Sequence, residues 1–530
     1  MCSINGIILK DDEEEPSSCS NDYNYNDIQL PKQLIKGMKI LKHRGPDSSG
    51  LMFDDEVIYF NDFNELKELN TSQKNNRLGI GHNRLAIVGE ANQPIPNENE
   101  NLWTICNGEI YNYNELKEDL SSHDIYSDTD TEIILHAYEE DIFDELDGDY
   151  AYCIYDKDEN KIILGRDLFG VKPLYYIDNK KYFAFASEKK ALINLLMDIN
   201  NLSFEDAYNY NISNLKPNSC IVYDLNDNEL TKWENIRKIT TNYFNKYKNM
   251  DYDVCKEELE EALWSSVSKR VNGIDEIGII YSGGVDSTLI AKMASEYGEV
   301  ILYVVGIDEK SDDIIWAEKA ANDMGLKLRK KIINPKDYEN YLLKVAYAID
   351  EIDLMKMAVG IPMFVASEMA KEDGIKVVLS GQGADELFGG YNRYKRIFDE
   401  NGANGLKEAL YNDVMDIYKV NLERDDHCTM ANGVELRVPF LDKNVVELGL
   451  SIPIEYKLNE KERKIILRDI ALKYIPEYIA YRPKKAAQYG SGSEKIIFKV
   501  AKNYGYSKKE INKFFDEILF KKLKGMYINK

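Results

Sequence analysis

Glu276-Ile277-Gly278-Ile279-Ile280-Tyr281-Ser282-Gly283-Gly284-Val285-Asp286-Ser287 decides the fold of the second half of this chain. Residues 276–281 form a short apolar run, the pattern of a strand buried on both faces. Asp286–Tyr297 follow at helical spacing, and Gly298 ends them. Between the two, Gly283 and Gly284 leave backbone N–H groups able to face an anion, and the start of the helix adds its positive end. Strand, glycine loop and helix in this order predict a phosphate cradle. No Gly-x-x-x-x-Gly-Lys-Ser/Thr run occurs, which excludes the kinase-type loop.

Working outward, strands at Val300–Val305, Leu326–Ile333 and Ile375–Leu379 and a helix at Ile314–Met324, closed by Gly325, predict a parallel sheet covered on both faces. Beyond Arg393 the periodicity is helical, with an amphipathic stretch at 508–523. The first half reads differently. Strand-like runs at 3–9, 77–80, 85–88, 102–106, 151–155, 161–165, 182–186 and 221–225 are interrupted by helices near 32–42, 113–120 and 131–140, without βαβ alternation. That order predicts an α+β layered domain. Residues 11–28 are acidic and polar and read as an exposed loop. The boundaries follow: a first domain over 2–225, a linker over 226–253 and a second domain over 254–530.

Composition narrows the chemistry. The net charge of −25 disfavours a broad nucleic-acid or anionic-membrane surface. The seven cysteines include no Cys-x-x-Cys pair, and none of the five histidines stands in His-Glu-x-x-His, so zinc hydrolysis has no motif. No basic leader opens the sequence, and no run approaches the roughly 20 apolar residues that span a bilayer. The expectation is a soluble cytoplasmic protein with no nucleic-acid or membrane partner.

Cys2 stands directly behind Met1. With Met1 removed it carries its own amine, which titrates near the thiol and can act as its general base. Around it recur, in order, His43-Arg44-Gly45-Pro46-Asp47, Gly81-His82-Asn83-Arg84-Leu85-Ala86-Ile87, Asn107-Gly108-Glu109-Ile110-Tyr111-Asn112, Thr129-Asp130-Thr131-Glu132, Gly165-Arg166-Asp167-x-x-Gly170-x-Lys172-Pro173-Leu174-Tyr175 and Ala186-Ser187-Glu188. This set resembles the class II glutamine amidotransferase domain, an αββα N-terminal-nucleophile hydrolase, over about residues 2–190. The resemblance implies that Cys2 attacks the glutamine amide and that Asn107 and the Gly108 N–H form the oxyanion hole. It implies that Arg84 binds the substrate α-carboxylate and that Glu109 and Asp130 hold its ammonium group. His43 and His82 read as structural.

A second ordered set comprises the 282–287 loop, Ser380-Gly381-Gln382-Gly383-Ala384-Asp385-Glu386-Leu387-Phe388-Gly389-Gly390-Tyr391, Gly433–Asp442 and Lys464-Ile465-Ile466-Leu467-Arg468. It is similar to the pyrophosphatase-loop synthetase domain of the asparagine synthetase B family, over about 255–485. By that resemblance Ser282, Gly283, Gly284, Asp286, Ser287, Val305, Ser380 and Gly381 lie around ATP. Asp286 and Asp385 hold Mg2+, and the catalytic Lys464 neutralises charge on the phosphates. The implied reaction takes aspartate, ATP and glutamine to asparagine, AMP, pyrophosphate and glutamate through a β-aspartyl-adenylate. The implied assembly is a homodimer. Ammonia must travel unprotonated, which predicts a water-poor passage between the domains.

Two places depart from the family. Gln382 stands where members often carry Glu, and Met355, Lys356, Met357 and Ala358 stand where Thr, Ser, Arg or Asp face the acceptor. Lys356 reads equally as a replacement cation and as a surface lysine. Two alternatives stay open on these residues: an amide synthetase for another carboxylate, and a regulatory binding protein with an inactive synthetase half.

Overall fold

The computed structural model describes residues 2–10, 28–68, 76–234, 236, 250–483 and 487–528. Met1, nearly all of the acidic stretch 11–28 and half of 226–253 lie outside the described residues. The chain divides into two units, Met1–Arg237 with Met526–Lys530, and Lys238–Gly525.

The first unit is built from two antiparallel sheets. One orders β11 (Ser213–Asn214), β9 (Tyr175–Asp178), β10 (Tyr182–Ala186), β1 (Ser3–Leu9), β4 (Leu78–Arg84), β2 (Ser48–Phe53) and β3 (Glu56–Phe60). The other orders β13 (Leu230–Glu234), β12 (Ser219–Asp224), β8 (Lys161–Arg166), β7 (Gly148–Asp156), β6 (Leu102–Ile110) and β5 (Ile95–Pro96). Alternate residues meet in a shared core, with Ile4, Ile8 and Ile80 from the first sheet against Ile105, Cys153 and Leu164 from the second. Helices α1 (Leu30–Leu41) and α4 (Lys189–Ile199) cover the first sheet. Helices α2 (Tyr113–Asp119) and α3 (Ile133–Glu139) bury Leu116, Ile133 and Ile134 against the other face of the second. The layers are therefore αββα.

The expected elements change in two ways. The run 85–88 is not a strand; the strand expected at 77–80 instead continues to Arg84, through Leu78-Gly79-Ile80-Gly81-His82-Asn83-Arg84. Gly81 and the polar residues after it conceal its second half, although all seven residues are buried. A Cβ on Gly79 would sit 2.6 Å from Leu30 Cδ2, and one on Gly81 2.6 Å from Met38 Sδ, so the two glycines let the side chains of α1 pack close on the sheet. Strand β2, helix α4 and the edge strand β13 are additional elements. β13 is polar because it is exposed, and it carries no apolar alternation to read.

The second unit holds a five-stranded sheet in the order β16 (Lys327–Ile332), β15 (Glu299–Gly306), β14 (Glu276–Ile280), β17 (Val377–Leu379) and β18 (Glu435–Arg437), parallel throughout. Helices Val285–Ala294, Asp312–Met324 and Leu354–Glu372 pack on it, and Tyr252–Val271 lies against Val285–Ala294. The carboxyl ends of β14, β15 and β17 gather Ser282, Val305 and Ser380 at one edge, where ligands of open parallel sheets bind.

Candidate active sites

β1 presents Cys2 at its start. Ser3 pairs with Asn83 across the ladder, which sets Arg84 at the same end of the sheet. The Cys2 backbone N donates to Asn107 Oδ1 at 3.2 Å, linking β1 to β6 of the opposite sheet. Asn107 is fully buried, and its Nδ2 has no hydrogen-bond partner among the described residues. A buried, unspent donor beside a nucleophile is what an oxyanion requires. Gly108 tolerates no side chain, since a Cβ would lie 2.2 Å from the Asp149 carbonyl oxygen. Asp130 is buried and accepts from Ile110 N at 2.6 Å, which ties the loop before α3 to the end of β6. Arg84 is buried too, and its guanidinium donates to the carbonyls of Val88 and Gly89.

A buried ion cluster without an assigned role in the sequence holds Cys2 in place. Glu188 accepts from His43 Nε2 at 3.0 Å, from Arg44 Nη1 at 2.9 Å and from Lys190. Arg44 Nε in turn donates to the Cys2 carbonyl at 3.2 Å. Burial alone would raise the Glu188 carboxyl, but His43, Lys190 and Arg44 outweigh it and hold it well below the usual range. His82 is buried with Nε2 on the Cys106 carbonyl at 3.2 Å; burial pushes its pKa down to about 3, so the ring stays neutral. The stretch from Arg166 to Lys172 is scaffolding: Asp167 accepts from the backbone N of Phe169, Val171 and Lys172, and Arg166 donates to the carbonyls of Lys172 and Gly170.

In the second unit the loop 281–284 turns with Gly283 at φ 69°, where a Cβ would come 2.8 Å from Ala317 N. Gly284 caps the helix Val285–Ala294, and its carbonyl accepts from the Thr288 hydroxyl at 2.7 Å. Lys464 Nζ reaches both Asp286 oxygens at 2.7 Å and Asp385 Oδ1 at 2.6 Å. Lys464 is a non-glycine residue at φ 57°, a costly conformation that the packing imposes. The two carboxylates are thus brought to one cation-sized point beside the glycine loop. A hard divalent ion wants oxygen ligands of this kind, so Asp286 and Asp385 fit Mg2+. Above them opens a cavity of about 530 Å3 lined by Ser282, Asp286, Ser287, Val305, Ser380, Gly381 and Asp385, together with Met355, Lys356 and Gln382. Gly381 must be bare here as well, because a Cβ would lie 2.8 Å from Asp286 Cβ.

Residues 68–247 match the glutamine amidotransferase domain family, and residues 258–402 and 398–523 match the asparagine synthase family. A Methanocaldococcus jannaschii protein that carries the provisional name asparagine synthetase (glutamine-hydrolyzing) 1 is 56% identical over 97% of this chain and 98% of its own length. The chain belongs to the asparagine synthase family. Asparagine synthetase B of Escherichia coli shares 27% identity over 93% of this chain and 83% of its own length, so the likeness spans both units. Asparagine synthetase 1 of Bacillus subtilis shares 28% over 86% of this chain and 83% of its own length.

Within this asparagine synthase family member the two departures have physical settings. Met355 and Lys356 line the cavity, whereas Met357 and Ala358 are fully buried in the helix Leu354–Glu372, so only half of that stretch can face an acceptor. Lys356 is neither a free cation nor a plain surface lysine, because Nζ pairs with Glu351 at 2.6 Å at the cavity wall. Gln382 donates through Nε2 to Asp425, a fully buried carboxylate also bound by Arg424 Nε at 2.7 Å. Sequence reasoning passed over Asp425, which lies 43 residues from Gln382 and outside the family motifs. Among the described residues every cysteine is free, and no helix is long and apolar enough to cross a membrane.

Proposed function

We propose that this chain, a glutamine-hydrolysing ATP-dependent ligase, makes asparagine from aspartate with nitrogen released at Cys2. After loss of Met1, the Cys2 amine takes the thiol proton and Sγ attacks the side-chain carbonyl of glutamine. Arg84 binds the substrate carboxylate, and Glu109 and Asp130 bind its ammonium. The Asn107 Nδ2 and Gly108 N–H donors receive the developing oxyanion, ammonia departs, and water releases glutamate from the thioester.

At the second site Ser282, Gly283, Gly284, Ser287, Val305, Ser380 and Gly381 cradle ATP. The β-carboxylate of aspartate attacks the α-phosphorus, pyrophosphate leaves, and the acyl-adenylate forms. Ammonia then adds to the acyl carbon and AMP departs with asparagine left behind. Lys464 neutralises charge that grows on the phosphates. Asp286 and Asp385 would hold Mg2+, which when bound adds further charge neutralisation at the pyrophosphate. We also propose a cytoplasmic location and a homodimer, by family likeness.

The observation that carries this reading is Lys464 Nζ within 2.7 Å of both Asp286 and Asp385 at the edge of the glycine loop. Pyrophosphate release from ATP, with ammonia supplied and a panel of carboxylic acids, tests it. Release that depends on aspartate is expected; release that depends on another acid replaces the acceptor.

A further inference from the structure

Two of the five histidines meet in the first unit, at a place no step above uses. His136 and Glu139 lie three residues apart on α3, His123 follows α2 in a turn, and Glu98 follows β5. His123 Nδ1 is 3.2 Å from Glu98 Oε1 and 3.6 Å from Glu139 Oε2. His136 Nδ1 is 2.9 Å from Glu139 Oε2 and 3.8 Å from Glu98 Oε2. One ligand atom from each of the four side chains falls within 4.8 Å of all the others.

Further carboxylates stand at the outer atoms of both rings. His123 Nε2 meets Glu140 Oε1 at 2.9 Å, and His136 Nε2 lies 3.6 Å from Glu132 Oε1. Glu132 is itself fixed by the backbone N of Tyr126 and Ser127. Glu139 Oε1 accepts from the buried Asn97 Nδ2 at 3.0 Å, which turns Oε2 toward the rings. His136 is fully buried, and Glu98 Oε2 is a buried atom with no hydrogen-bond partner among the described residues. Each ring therefore aims Nδ1 inward, and His123 sets its Nε2 on a second carboxylate, the arrangement that orients metal-ligating histidines.

The geometry points to a divalent transition-metal site formed by Glu98, His123, His136 and Glu139. Two imidazole nitrogens and two carboxylate oxygens around one point suit four-coordinate Zn2+, with Co2+ as its spectroscopic substitute. No water-activating role is assigned; the ion fastens α3 and the 120–132 loop to the Glu98 turn. That loop carries Asp130, so the ion would also stiffen the wall assigned to the glutamine ammonium group, a consequence that rests on the function proposed above.

The test uses the full chain, freed of metal with a chelator and re-equilibrated with zinc chloride, on a Cys2→Ala background that removes the thiol as a competing ligand. One tightly held zinc per chain, measured by elemental analysis after gel filtration, and a raised melting temperature are the expected results. His123→Ala and Glu98→Gln, which leave the fully buried His136 in place, should each lower zinc affinity at least tenfold while circular dichroism stays unchanged. Cobalt chloride should give visible bands of a four-coordinate nitrogen–oxygen ion in the parent only. Zinc content below a tenth of an equivalent, or equal zinc in parent and folded variants, overturns the site. Because no substrate enters these readouts, the result is independent of whether Asp130 binds glutamine.

Discussion

Asn107 bears two loads with one amide: Oδ1 receives the Cys2 N–H while buried Nδ2 is left for substrate. Asn107→Ala should therefore cut glutamine-driven turnover about 100- to 1,000-fold, the usual loss for one oxyanion donor, and leave ammonia-driven synthesis near the parent rate. Steady-state assays with each nitrogen source read both numbers. Glu188 works at one remove, through Arg44 to the Cys2 carbonyl. Glu188→Gln leaves buried cations without their counter-charge and should cost about 3–5 kcal/mol in urea unfolding, far more than a surface pair.

At the scale of elements, the turn that delivers Lys464 is the informative one. Leu458 and Arg463 form a bridge across it, and Lys457 at its base is fully buried with Nζ lacking a hydrogen-bond partner among the described residues. Burial, with Lys407 nearby, pushes the Lys457 pKa down to about 7. The unfolded chain keeps this proton to about pH 10.4, so the folded state binds fewer protons between these limits and stability rises with pH there. Lys457→Met should stabilise the protein by on the order of 4 kcal/mol below pH 7, and the advantage should shrink toward pH 10; urea melts across that range measure it. Gly381→Ala, which pushes on Asp286, should depress pyrophosphate formation and spare glutaminase activity. Strands with dense apolar runs, such as β14 and β15, were legible in the sequence because nothing else explains such runs. β4 was legible only over its first residues, because its second half is Gly81-His82-Asn83-Arg84, which carries no apolar alternation. The motif residues were legible as sets. The Gln382–Asp425 contact and the Glu98–His123–His136–Glu139 cluster were not, because tertiary folding alone brings them together.

At the scale of the whole molecule, the proposed function places one half-reaction in each unit. Cys2→Ala should thus abolish use of glutamine while ammonium salts still support asparagine formation; equal loss of both would contradict two separable sites. Amide-labelled [15N]glutamine offered with excess unlabelled ammonium should give asparagine enriched in 15N well beyond the isotope ratio of the mixed medium. The Lys464 ammonium already sits as an internal tenant between two acidic neighbours. An incoming divalent ion must evict it, and eviction is easiest once a polyphosphate offers the lysine somewhere else to go. Metal alone should therefore bind feebly, metal and nucleotide should recruit each other, and calorimetry with either one absent would register that mutual dependence.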